Sequence, residues 1–172
     1  PQSATARLIC GMHGVLWAWE ARGYGFSDSV GESAQEVFTD RLSAADFMLE
    51  QAAELNPSDP TPWALMLRSA YGLGLDETEH RRRFDNATRL APDHRLAHSS
   101  LLQSLCAKWY GSHDLMFRFV SNATSVAGPG SPVHTLVAEA HIERWLGMLE
   151  ENEEQARGYW TRPVVRSAIT HA

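Results

Sequence analysis

Shifted by 35 residues, this chain matches itself. The segment LEQAAELNPSDP at 49–60 superposes on FDNATRLAPDHR at 84–95, pairing Leu49 with Phe84, Ala52 with Ala87, Leu55 with Leu90 and Pro57 with Pro92. A second shift carries Phe84 onto Phe119, and downstream Leu67 meets Leu102 and Ser69 meets Ser104. A period of that size allows few folds, because each unit must be one supersecondary element that buries its apolar face only by stacking on its neighbours.

The periodicity inside the units is helical, with apolar residues three or four apart and no strand-like alternation. One expected helix places Leu8, Met12, Val15, Leu16 and Trp19 on a single face and stops at Arg22-Gly23, before a turn-rich GYGFSDSVG. The second carries Val37, Phe38, Ala45, Met48, Leu49, Ala52 and Leu55 and ends at Asn56-Pro57, since a residue before proline leaves the helical region. A third opens at Asp59-Pro60-Thr61-Pro62, and a fourth at Asp76 with Glu79 as its capping-box acid. A fifth spans 93–109, a sixth 112–127, and a seventh starts at Ser131-Pro132. The eighth, 152–169, is kinked or ended by Pro163.

These units resemble the tetratricopeptide repeat, two antiparallel helices of about 34 residues. Trp63 stands at the family's Trp position and Met66 at its Leu; Phe84 and Ala87 match the second helix, and Pro57 and Pro92 close their units. Departures are Leu67 and Leu102 at the small-residue position, Ala70 and Leu105 at the Tyr position, and His98 where a second Trp belongs. Residues 42–130 carry the likeness, flanked by degenerate helical pairs at 1–41 and 131–172. The resemblance implies an all-α fold of one domain over 1–172, helical hairpins stacked as a short right-handed solenoid. A compact helical bundle is the rival architecture.

By the same resemblance, a concave groove would bind a peptide or helix of a partner protein. Its first-helix positions would be Ala64, Arg68 and Tyr71 in one unit and Ser99, Gln103 and Cys106 in the next. The carboxylate clamp of chaperone-binding family members needs Lys and Asn at such places, so that role is not expected. The turn KWYGSHD gathers Lys108, Trp109, Tyr110 and His113, an aromatic edge with a polar fringe. A self-associating module, a possible homodimer, is the second reading. The third is a small metal-dependent enzyme using Glu139, His141 and Glu143. No HExxH, CxxC, GxSxG or phosphate-cradling glycine loop is present, so neither a cofactor nor a resident metal is expected.

Composition narrows the partners. Of the net charge of −6, all lies in residues 1–86, and 87–172 are neutral. Nucleic acid is therefore not an expected ligand, because phosphate binding needs clustered bases. The one basic run, Arg81-Arg82-Arg83, has acids around it and reads as a solvated helix face. No apolar stretch approaches membrane-spanning length, and the N-terminal residues do not read as a secretory signal. Fourteen arginines against the single Lys108 point to a GC-rich, bacterial genome. Cys10 and Cys106 read as small buried hydrophobes of a reducing cytoplasm.

Overall fold

Helix ends in this chain fall where side chains or glycines can take up orphan backbone groups. In the computed structural model, which describes residues 3–23, 31–109 and 111–171, Ser3 accepts the Ala6 amide and opens α1 (Ala4–Arg22), which Gly23 closes. The turn-rich 24–30 and Tyr110 lie outside the described residues. Then come α2 (Glu32–Leu55), α3 (Thr61–Leu73), α4 (Glu77–Leu90) and α5 (Arg95–Ser104). Asp76 caps α4 by accepting the Glu79 amide, as its sequence predicts. There follow α6 (His113–Val126), a 3-10 turn at Pro132–Thr135, α7 (Leu136–Glu151), α8 (Glu153–Arg157), another 3-10 turn at Tyr159–Thr161 and α9 (Pro163–Thr170). Among the described residues there is no strand, and no helix is long and apolar enough to cross a membrane.

Two compact units divide the chain, Pro1–Ser100 and Leu101–Ala172. In the first, Val15, Ala18, Phe38, Leu42, Ala45, Leu49, Leu65 and Met66 form one core, and Ala64, Leu67, Ala87 and Ala97 another. Gly11 lets α1 lie close on α2: a Cβ there would sit 2.6 Å from the Leu49 side chain. At the centre of this unit is a charge that the sequence reading put in solvent. Arg83 is only 3% exposed. It donates two parallel bonds to Asp46 (2.9 and 2.7 Å), one to Glu79 (2.6 Å) and one to the Met66 carbonyl (2.6 Å). Ser69 donates its hydroxyl to the same Asp46. One guanidinium thus ties α2, α3 and α4 together. Periodicity put Arg83 beside Arg81 and Arg82, but it falls one turn before Ala87 on the inward stripe of α4.

Arg82 is exposed on the outer face, as expected; its fork holds Glu79 at 2.6 and 2.7 Å, and its guanidinium carbon lies 5.2 Å from the centre of the Trp63 ring.

The second unit is built on Leu102, Cys106, Met116, Val120, Val133, Leu136 and Ala140, with a smaller cluster of Met148, Ala156, Tyr159 and Val165. Its first turn corrects an expectation. The fifth helix does not reach 109: it stops at Ser104, and the Ser112 and Gly111 amides fold back onto the Leu105 and Cys106 carbonyls. The turn is so tight that a Cβ on Gly111 would lie 2.0 Å from the Leu105 carbonyl oxygen, a backbone atom that cannot step aside. Gly111→Ala should therefore cost about 2–3 kcal/mol, read as a lower urea midpoint. A change under about 0.5 kcal/mol would show that the turn relaxes freely. Of the two outcomes expected at Pro163, a kink or an end, the structure has the break: helical residues stop at Thr161. Pro163 starts α9 at the first helical position, behind an extended Arg162.

Candidate docking site

Helix α1 is apolar around much of its circumference, and only one stripe of it is covered. Gly11, Val15 and Ala18 are buried, whereas Ile9, Met12, Leu16 and Trp17 keep 55, 42, 51 and 48% of their surface exposed. Ile9, Met12 and Leu16 are three or four positions apart and share a face, and Trp17, eight positions from Ile9, borders it. Met12 and Leu16 were expected inside with Val15 and Trp19. The narrow contact made possible by Gly11 leaves residues about 100° away on the helix in the open. Cys10 was expected inside for the same reason and is exposed too.

The face has an ordered rim. Arg41 from α2 lies 3.5 Å over the Trp17 ring and donates to the Trp17 carbonyl at 3.0 Å, which fixes the indole in place. His13 stands 6.3 Å from the same ring. On α2, Phe47 and Leu55 are exposed by 55 and 53%. Exposed apolar residues scattered singly need no explanation; here several lie together on one helix beside a tryptophan held in place.

The residues singled out from sequence fall elsewhere. In the first unit, Ala64 is fully buried among Leu67, Ala87 and Ala97. Tyr71 is buried with its ring 5.3 Å from Trp19, and Arg68 is half-buried with its guanidinium 5.9 Å from the same indole. In the second unit, Gln103 and Lys108 converge on Glu143, donating to its two oxygens at 2.8 and 2.6 Å. Glu143 is itself only 11% exposed, so this triad is a packed polar contact between α5's end and α7. Trp109 packs against the core around Leu102 and Cys106. His113 accepts from Arg144 at 3.0 Å. Burial pushes the Cys106 thiol up to about 12 and so leaves it unreactive; it donates to the Leu102 carbonyl.

The trio considered for metal chemistry is divided by the helix that carries it. Glu143 turns to Gln103 and Lys108. His141 turns to Tyr159, whose hydroxyl meets Nδ1 at 2.6 Å, and to the Phe117 ring at 5.1 Å. His94 and His98 share a helix face, yet His94 accepts the Ala97 amide and His98 stacks edge-on against Phe84. Among the described residues no three His, Cys, Asp or Glu side chains are grouped to hold a metal ion.

No protein-family model, curated protein or solved structure matches this chain.

Proposed function

We propose that the chain is a protein-interaction module of tetratricopeptide-like helical hairpins that takes an apolar helix of a partner protein along α1. The repeat supports the solenoid reading, because its 35-residue shift joins equivalent helices. It carries Leu49 in α2 to Phe84 in α4 and Phe119 in α6, and Leu67 in α3 to Leu102 in α5. The uncovered stripe Ile9, Met12, Leu16 and Trp17 carries the binding reading. In a stacked array each hairpin covers its neighbour's apolar face, so an uncovered apolar stripe offers a surface on which another helix can pack. The arginine-for-lysine bias and two unpaired thiols support a bacterial, cytoplasmic setting. On that reading a reducing agent leaves the melting temperature unchanged.

A photo-crosslinking amino acid at position 13, introduced in the native host, tests the surface. The expected product is an adduct with a different protein, lost when Leu16→Glu and Trp17→Gln are combined. Those exposed substitutions should leave stability within about 0.5 kcal/mol per site. An adduct only with a second copy would make this the self-associating module instead. No adduct at all would remove the α1 face as a working surface.

A further inference from the structure

Beyond Trp17 the uncovered surface continues from α1 onto α2, where it gains a charged border. Val37, Ala44, Met48, Gln51 and Leu55 lie seven, four, three and four positions apart and form one stripe of α2. It runs beside α1, because Arg7 of α1 donates to Gln51 and to the Met48 sulfur. Val37, Ala44 and Leu55 on it are exposed. A second stripe lies next to it: Glu36, Asp40, Phe47, Glu50 and Glu54, with spacings of four, seven, three and four. All five are exposed, and Phe47 sits between two pairs of acids.

The hairpin uses up its bases and leaves these acids outside. Arg41 is the single base of α2, and it turns to the Trp17 ring and carbonyl. Arg7 turns to Gln51, and Arg22 lies 5.6 Å from the centre of the Trp19 ring. Glu36, Asp40, Glu50 and Glu54 make no hydrogen bond or salt bridge among the described residues. Glu36 and Asp40 are four apart, as are Glu50 and Glu54, a spacing at which like charges weaken a helix. An apolar strip edged by a row of unpaired acids is complementary to bases on whatever covers it.

Resting on the proposed docking along α1, we infer that the partner's helix is cationic. Its apolar stripe lies on Val37, Ala44 and Leu55 beside Trp17, and Lys or Arg residues along one edge meet the four acids of α2. Glu36 and Glu54 are eighteen positions apart, about 27 Å along a helix, so a partner segment of about five turns reaches both acid pairs. A second copy of the chain is the poorer occupant. An isologous contact would set these acids against themselves in a chain of net charge −6. The one basic run, Arg81-Arg82-Arg83, has Arg82 tied to Glu79 and Arg83 to Asp46. Nucleic acid and anionic lipid are repelled by the same charges.

The test is titration calorimetry of the whole chain with helical probe peptides. Each contains three repeats of Leu-Xaa-Ala-Leu-Xaa-Gln-Ala between acetyl and amide groups, with Lys, Gln or Glu as Xaa. The Lys peptide should bind at least tenfold tighter than the Gln peptide, and the Glu peptide should not bind. Neutralising α2 as Glu36→Gln, Asp40→Asn, Glu50→Gln and Glu54→Gln should weaken the Lys peptide at least tenfold. Neutralising four exposed acids elsewhere, Asp85→Asn, Asp114→Asn, Glu150→Gln and Glu154→Gln, should weaken it less than threefold. The α2 variant should melt no lower than the parent, since it loses like-charge pairs and no bond. A lower melting temperature would assign the acids to the fold and overturn the inference. No binding by the Lys peptide, equal binding by the Lys and Gln peptides, or equal losses from the two sets of substitutions would overturn it as well. Trp17→Gln separates this inference from the α1 face. If the two peptides bind equally and Trp17→Gln weakens both, the α1 face stands and the cationic partner falls. If Lys-peptide binding ignores Trp17→Gln but is lost in the α2 variant, the cationic partner stands and docking on α1 falls.

Discussion

Arg83→Met should lower the stability of the first unit by about 3–5 kcal/mol, the usual consequence of removing one partner from a buried ion pair. Asp46 would be left with its charge in the core, only 9% exposed, and with the Ser69 hydroxyl as its remaining donor. The Met66 carbonyl would lose the Arg83 donor as well. Methionine fills the volume of the arginine stem, so the loss reports on charge and hydrogen bonding rather than on a cavity. Urea unfolding should show the midpoint fall by about 2 M. Combining Arg83→Met with Asp46→Leu should restore most of the loss, because an apolar pair of similar volume often equals a buried salt bridge. A single variant within about 1 kcal/mol of the parent would mean that water reaches Asp46 and that the network does not clamp the three helices.

Acidification should destabilise the protein in two stages. His94, His98, His113 and His141 all titrate below their ordinary 6.5, chiefly because burial disfavours the charged ring. At His113 the neighbouring Arg144 adds to this, against weaker opposition from Glu151 and Asp114. Above about pH 6.5 the four rings are neutral whether the chain is folded or not, and stability is at its full value. Below it, the unfolded chain binds protons that the folded chain refuses. Stability therefore falls with pH, each histidine contributing at most about 1.4 kcal/mol per pH unit.

Glu79 follows at lower pH. The Arg82 hydrogen bonds, with help from Arg83, hold its pKa at about 2, against burial that acts the other way. Its contribution is present above the ordinary 4.5 and disappears as pH falls toward 2. Melting temperature should drop by several degrees between about pH 7.5 and 5.5, then further below about pH 4.5. In His113→Gln an amide oxygen can accept from Arg144 without titrating, so the first fall should become shallower. A melting temperature that is flat or rising from pH 7.5 to 5.5 would show the rings to be solvated.

Sequence reading reached the helices because caps and stops are local. Ser3, Asp76, Ser112, Asn152, Gly23 and Gly74 act on backbone groups within a few residues, so their effect is visible from neighbours alone. The fifth helix was read five residues too long because its end depends on Gly111 approaching the Leu105 carbonyl from beyond the turn. Of the candidate residues, Gln103 and Lys108 were legible as polar groups near a turn. Nothing local showed that both would be spent on Glu143, 40 and 35 positions away.

Amino-acid order by itself determined that this chain is helical and where most helices begin and end, because a helix satisfies its backbone from residues three and four apart. Which side of each helix would be covered was decided only in three dimensions. On α1, Val15 and Ala18 are inside while Ile9, Met12, Leu16 and Trp17 stay outside, and Gly11 seated on Leu49 chose between them. The same holds for charge. Arg68 and Arg83 are alike as residues, but Asp46 and Glu79 come to one of them and no described carboxylate comes to the other. A counter-ion 37 residues distant along the chain is a matter of packing, to which local spacing carries no signal.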